Sequence, residues 1–283
     1  MFAGCDFRWF EPLRRNSEIF TEAYLKDLIE HDTSFAGRSI QQVYHVDFFD
    51  ISGKMLAGGD SWCFRTDRDI AREKGTKYDE LNLKKIKSYS EEELAKHNSL
   101  YEAEIIRGSK PLFYEDVEVG QKIPKMAKGP MTVTGFICYA QGWGGLYIRA
   151  NKLAWKMQAR HPATGIKNKR GIPDCPERVH WEEEFAKKVG APGAYDYGPE
   201  RCSWLSHAIT NWIGDMGMLT RLYSEIRRHN PEGDLLIIEG EVVNKRKESG
   251  LFLVDFELVA KNQNGELSAK GNATASLPSK AKE

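Results

Sequence analysis

The chain has 283 residues, of which 41% are hydrophobic, 29% charged and 11% aromatic. This composition is globular and excludes a disordered, fibrous or collagen-like protein. Lys plus Arg equals Asp plus Glu at 41 each, so no overall basic field exists to attract nucleic acid or an anionic membrane. The uncharged stretch 129–148 contains five glycines and a proline, which excludes a membrane span. We expect neither a nucleic-acid nor a membrane partner.

The cysteine spacing and the first residues of the chain give expectations about the cellular compartment and about metal binding. Five cysteines lie 58, 75, 37 and 27 residues apart, which fits neither a metal-ligand motif nor a disulfide framework. The start, MFAGCDFRWFEPLRR, has no charged start, apolar run or small-residue cleavage site of a signal peptide. We expect reduced thiols, no bound metal and a cytoplasmic location.

The first quarter of the chain is predicted to be all strand, followed by a helical connector. The strand-like patterns lie at 7–14, 18–31, 39–53 and 54–66. Residues 69–111 are charged and poor in β-branched side chains. Within them, Ser90 and Glu93 form a capping box that predicts a helix beginning near Glu91.

Residues 112–283 predict a second unit built around one long helix. The segment FYEDVEVGQKI, 113–123, indicates a strand, Thr132 or Thr134 can cap a helix over 135–141, and WEEEFAKKVG predicts another short helix. Gly198 and Pro199 then open the strongest helix, whose apolar stripe has helical period. Four strands are predicted after it, at about 219–228, 235–247, 251–262 and 266–277.

The two units share a weak internal repeat. DISGKMLAGGDSWCF aligns with NQNGELSAKGNATAS at an offset of 212 residues, which matches three small residues. The matched pairs are Gly53 with Gly265, Ala57 with Ala269, and Gly59 with Gly271. Two copies of one antiparallel sheet are therefore predicted, and the first copy lacks the strand, helix and loop that precede the sheet in the second.

The segment VHWEEEFAKKVGAPGAYDYGPERCSWL carries a family resemblance. Val179-His180, five residues, Ala186 and then Gly198 resemble the hydratase motif of the MaoC-like (R)-specific enoyl-CoA hydratase and acyl dehydratase family. The resemblance covers residues 112–278 and implies an α+β hot-dog fold. Residues 1–68 look like an incomplete companion hot dog that lacks its central helix. The domains predicted are thus 1–68, a connector over 69–111, and a complete MaoC-like hot dog over 112–283.

The acidic half of the motif departs from the family pattern Asp-x-Asn-Pro-aliphatic-His. Cys175 occupies the aspartate position, Glu177 the asparagine position and Arg178 the proline position, while Asp174 stands one place early. The acid that partners His180 is therefore either Asp174, brought in by a one-residue bulge, or Glu177. Glu177 is slightly favoured because it lies three residues from His180.

The resemblance implies hydration of a 2-enoyl thioester or the reverse dehydration. This reaction needs a base to take a proton from water, an acid to protonate the α-carbon, and a donor to the thioester oxygen. His180 and a carboxylate can hold one water between them. By resemblance the oxyanion donor is the amide of Gly198, at the N-terminus of the predicted long helix, where unsatisfied amides favour negative charge.

A locally basic segment suits coenzyme A as part of the substrate. Between Val119 and Pro173 there is no Asp or Glu, yet there are ten Lys or Arg. Those with near-helical spacing are the candidate phosphate ligands: Arg149, Lys152, Lys156 and Arg160. The turn GWGG lacks the third glycine of a dinucleotide fingerprint because Tyr147 stands there, so no cofactor is expected beyond the coenzyme A of the substrate.

Aromatic residues concentrate in the second unit, which suggests a bulky or ring-bearing acyl group. Two other functions stay open: a hot-dog thioesterase, in which the carboxylate directs water at the carbonyl carbon, and a non-catalytic subunit that supports a catalytic partner. The missing helix of the first unit predicts a homo- or hetero-oligomer, in which a hot-dog partner covers the sheet face that would otherwise be bare.

Overall fold

The computed structural model describes residues 1–33, 37–66, 88–144 and 150–280. Within these residues a nine-stranded antiparallel sheet is the main element, and helices lie against part of it. The strands are β1 Phe2–Trp9, β2 Ile19–Thr33, β3 Gly37–Asp50, β4 Met55–Thr66, β5 Met126–Lys128, β6 Ile166–Lys167, β7 Pro173–Asp174, β8 Met218–Ile226, β9 Leu236–Glu248, β10 Leu251–Asn262 and β11 Leu267–Ser276. The α-helices are α1 Glu91–Glu102, α2 Val133–Gly142, α3 Lys152–Arg160, α4 Glu183–Lys188 and α5 Gly198–Ile213.

The sheet has the internal symmetry that the sequence repeat predicts. Its strand order is β2-β3-β4-β1-β8-β11-β10-β9-β5, with β6 and β7 forming a separate ribbon. Counted outward from the central β1–β8 pair, the strands run β1-β4-β3-β2 in the first unit and β8-β11-β10-β9 in the second. Each unit therefore contributes the same four-stranded pattern. Gly53 and Gly265 occupy the same hairpin turn in the two units, with φ of 83° and 76°, a conformation that favours glycine.

The long helix α5 forms the centre of the second unit. Leu205, Ile209 and Ile213 on its apolar stripe are at most 1% exposed, and they belong to one core with residues of β8 to β11. The helix begins at Gly198 with Pro199 in its first turn, as predicted, and Gly214 ends it with φ of 72°. None of the helices in the described part of the chain is long and apolar enough to cross a membrane.

The connector and the start of the second unit agree with the sequence-based prediction at two helix caps and differ from it at one strand. The strand predicted over 113–123 is wrong: Tyr114–Asp116 forms a 3-10 turn, and Lys122 makes only an isolated bridge to Glu241. The chain turns at Gly120, where φ is 88°, so an extended run cannot continue. The Ser90 capping box that begins α1 is confirmed, as is the Thr132 cap of α2.

In the second unit α5 covers one face of the sheet. In the first unit the same face carries exposed apolar side chains. Register partners place Leu25, Tyr44, Ser61, Cys5 and Ser224 in one row across β2, β3, β4, β1 and β8, and such partners share a face. At one end of the row, Ser224 donates a hydrogen bond to Cys202 of α5, 2.9 Å away. At the other end Leu25 is 48% and Tyr44 38% exposed.

Only strands are described between residues 1 and 66. Residues 67–87 lie outside the described residues, so the missing central helix and the boundaries at 68 and 111 stay predictions.

Candidate active site

A single buried arginine fixes the segment that carries the candidate catalytic residues. Pro176–His180 forms a 3-10 helix between the β6–β7 ribbon and α4, and Arg178 within it is only 4% exposed. Its guanidinium donates to the carbonyl of Ile166 at 3.0 Å, to the carbonyl of Cys175 at 3.2 Å and to the Glu182 carboxylate at 2.6 Å. In the sequence, Arg178 stands out only because it departs from the motif.

His180 and Glu177 face each other on one turn of this 3-10 helix. The Nε2 atom of His180 lies 3.9 Å from Oε2 of Glu177. This distance exceeds a direct hydrogen bond and leaves room for one water to contact both atoms. The side chains are 14% and 29% exposed, so the pair is largely removed from bulk solvent.

The tautomer of His180 follows from its backbone partner. Nδ1 lies 3.0 Å from the carbonyl oxygen of Tyr195, which can only accept, so Nδ1 carries the proton. In the neutral ring Nε2 then presents its lone pair toward Glu177. The imidazole contacts the rings of Tyr197 at 3.7 Å and Tyr195 at 4.4 Å between centroids, which fixes its orientation.

Burial changes the protonation of both members of the pair. Burial lowers the pKa of His180 to about 4, against the opposing effect of the Tyr195 carbonyl, so the ring is neutral at pH 7. Burial raises the pKa of Glu177, an effect that the nearby Tyr197 hydroxyl partly offsets. The arrangement therefore combines a neutral imidazole acceptor with a carboxyl group that holds its proton more tightly than usual.

Asp174 occupies a different environment from Glu177. Its carboxylate accepts from the amide of Cys175 at 2.7 Å and from the side chain of Asn168 at 3.2 Å, and it lies 3.6 Å from Nε of Arg178. These contacts stabilise the turn between β6 and β7. The contact with His180 is made by Glu177.

Gly198 is the first residue of α5 and directly follows Tyr197, whose ring stacks on His180. Its amide is in the first turn of a helix, where an N–H has no acceptor within the helix, which suits it to a developing negative charge. A Cβ built on Gly198 would lie 2.6 Å from Cδ1 of Phe2, so the ring of Phe2 occupies the space beside this glycine. Phe2 could not be found from the sequence, because no local pattern links β1 to α5.

Three of the four candidate coenzyme A ligands lie on one helix. Lys152, Lys156 and Arg160 are spaced four residues apart along α3, so they share one face, and all three are exposed. Arg149 lies outside the described residues.

Aromatic side chains extend from the His180–Glu177 pair toward α2. Tyr139 and Trp143 approach the ring of Tyr197 with centroid distances of 5.2 and 6.4 Å. On the other side, His229 meets Tyr195 edge to face at 4.6 Å. Among the described residues, no group of three or more His, Cys, Asp or Glu has a geometry for a metal ion.

Solved structures with a similar fold include MaoC-like proteins. A MaoC-like dehydratase is 16% identical, with a TM-score of 0.62, over 99% of this chain and 75% of that one. A MaoC domain protein from Chloroflexus aurantiacus is 11% identical, with a TM-score of 0.59, over 99% and 76% of the two chains. A Mycobacterium tuberculosis protein described as a double hot-dog fold is 8% identical, with a TM-score of 0.54, over 98% and 74%.

The chain therefore has the α+β double hot-dog fold of MaoC-like dehydratases. The resemblance predicted from the residues around His180 is confirmed at the level of the fold. No protein-family model matches the chain, and a search of curated proteins gave no significant match.

Proposed function

We propose that this protein reversibly hydrates a 2-enoyl-CoA thioester to a 3-hydroxyacyl-CoA. The observation that supports this most directly is the 3.9 Å separation of His180 Nε2 and Glu177 Oε2 on the segment adjoining Tyr197 and Gly198. The pair can hold the water that adds to the β-carbon, and the Gly198 amide can donate to the thioester oxygen.

The roles follow from the protonation states. Nε2 of His180 accepts a proton from water as the oxygen bonds to the β-carbon. The carboxyl group of Glu177 delivers a proton to the α-carbon, so that one water is added in total. In the reverse direction the Glu177 carboxylate takes the α-proton and the His180 imidazolium protonates the leaving hydroxyl, and the negative charge that develops on the thioester oxygen is stabilised by the Gly198 amide in both directions.

The coenzyme A part of the substrate is assigned to the basic residues of α3. Lys152, Lys156 and Arg160 form a cationic face on α3 that suits its phosphates, and Arg149 is retained as a fourth ligand. The rings of Tyr139, Trp143 and Tyr197 near the pair support a bulky or aromatic acyl group.

The test is a panel of straight-chain and aromatic 2-enoyl-CoA esters, followed by loss of enoyl absorbance and, in parallel, by release of free thiol. Hydration by the wild type and a loss of about 10²-fold or more in His180→Ala are expected. Thiol release without hydration would instead identify a thioesterase. Hydration that persists in His180→Ala within an assembled complex would identify a non-catalytic subunit.

A further hot-dog subunit, identical or different, is proposed to cover the first unit's sheet face. Leu25 and Tyr44 on that face are substantially exposed, although the same row of side chains is covered by α5 at its other end. Exposed apolar surface of this kind is typical of protein interfaces. No metal or separate cofactor is part of this proposal, and a cytoplasmic location stays an expectation.

A further inference from the structure

The start of β1 brings an aromatic ring to the candidate oxyanion position. Phe2 belongs to the first unit, and Gly198 begins the long helix of the second. A Cβ on Gly198 would lie 2.6, 3.4 and 3.5 Å from Cδ1, Cγ and Cβ of Phe2. The closest of these distances is shorter than real Cβ contacts, so the ring fills the space that any other side chain at position 198 would need.

The backbone holds this ring in place from the neighbouring strand. Phe2 is the register partner of Cys63 in β4, and the amide of Phe64 donates to the carbonyl of Met1 at 2.8 Å. On the other side of Gly198, Tyr197 stacks on His180 with 3.7 Å between the ring centroids. Phe2, Gly198, Tyr197 and His180 therefore form a continuous line of contacts from the first unit to the catalytic pair.

We infer that Phe2 is a specificity-determining residue that limits substitution at the α-carbon of the acyl group. The inference rests on the proposed function, because it takes the Gly198 amide as the donor to the thioester oxygen. The α-carbon is only two bonds from that oxygen. A branch on it therefore comes within reach of the ring that covers Gly198, and a ring packed against Gly198, on a backbone paired with β4, cannot yield easily.

The experiment compares 2-methylbut-2-enoyl-CoA with but-2-enoyl-CoA as substrates of the wild type, Phe2→Leu and Phe7→Leu. Phe7→Leu is the matched control: it is the same substitution in the same strand, at a ring that packs against Gly59 and Trp9. Leucine keeps an apolar side chain on the strand but removes the ring. Unfolding midpoints of all three proteins establish that they are folded.

In Phe2→Leu the ratio of kcat/KM for the branched over the unbranched substrate is expected to rise roughly tenfold, the lower end of the effect of one methyl-sized change in an apolar pocket. The ratio in Phe7→Leu is expected to stay at the wild-type value. Hydration with an unchanged ratio in Phe2→Leu, or the same rise in both variants, would overturn this inference and leave the proposed function standing. Absence of hydration in the wild type with every ester would overturn both.

Discussion

The Nε2 atom of His180 and the Oε2 atom of Glu177 lie 3.9 Å apart, three residues from each other on one 3-10 turn. The turn brings them together because its side chains at i and i+3 nearly eclipse. The Tyr195 carbonyl fixes the proton on Nδ1, so the ring presents an acceptor toward the carboxyl group. One turn of backbone thus supplies both proton-transfer groups of the proposed reaction.

The choice between the two acids can be tested directly. Glu177→Gln is expected to lower kcat for hydration about 10²- to 10⁴-fold, because it removes a proton-transfer group. Asp174→Asn is the matched control, since that carboxylate contacts Cys175, Asn168 and Arg178. The measurement is enoyl absorbance under saturating substrate. A larger loss in Asp174→Asn than in Glu177→Gln, with both proteins folded, would reverse the assignment.

The pH profile is expected to lack the usual histidine inflection. Burial lowers the pKa of His180 to about 4, so the ring stays a proton acceptor as the pH falls from 7 to 5. The raised pKa of Glu177 means that its acid form becomes more populated over the same fall. We therefore expect kcat/KM at pH 5.5 to be no lower than at pH 7. A decline of about tenfold per pH unit below 6.5 would show an ordinary imidazole and contradict this account.

The cationic face of α3 is expected to act on the coenzyme A part of the substrate alone. In the double variant Lys152→Glu, Lys156→Glu, KM for an enoyl-CoA is expected to rise about tenfold, because phosphate contacts become repulsive. KM for the matching pantetheine thioester, which has no phosphate, should be unaffected. Lys96→Glu, another exposed helical lysine, serves as the control. Equal changes in KM for both thioesters would remove α3 from the coenzyme A site.

Removal of the buried guanidinium should destabilise the segment Pro176–His180. Arg178→Met leaves the carbonyls of Ile166 and Cys175 without this donor, which is expected to lower the free energy of unfolding by about 1–3 kcal/mol. Arg38→Met, at an exposed ion pair with Glu30, is the comparison and should cost less than about 1 kcal/mol. Urea unfolding measures both. Equal losses would mean that Arg178 does not hold the segment.

Association through the first unit's open face can be tested on a single strand. Leu25→Asp is expected to shift the sedimentation coefficient toward that of a monomer, because a charge replaces an apolar contact. Phe20 lies five positions from Leu25 along a regular part of β2 and therefore on the opposite face, so Phe20→Asp should leave the oligomer intact. A stable wild-type monomer with no partner would argue against the proposed subunit.

The periodic parts of the fold were predictable because their signals are local. The apolar stripe of α5, the Ser90 capping box and the alternation in β8 to β11 each depend on residues a few positions apart. The prediction of a strand over 113–123 was wrong because apolar residues there alternate across a turn at Gly120. Alternation alone cannot distinguish a strand from a loop that buries the same residues.

The sequence by itself determined the repeated sheet, the long helix and the spacing of His180 and Ala186, with five residues between them, since each of these is a matter of spacing along the chain. Only the tertiary structure decided which acid faces the imidazole, that Arg178 holds the segment, and that Phe2 covers Gly198. These contacts depend on side-chain directions and, for Phe2 and Gly198, on the packing of β1 against α5 across 196 positions of chain, and neither leaves a local pattern in the sequence.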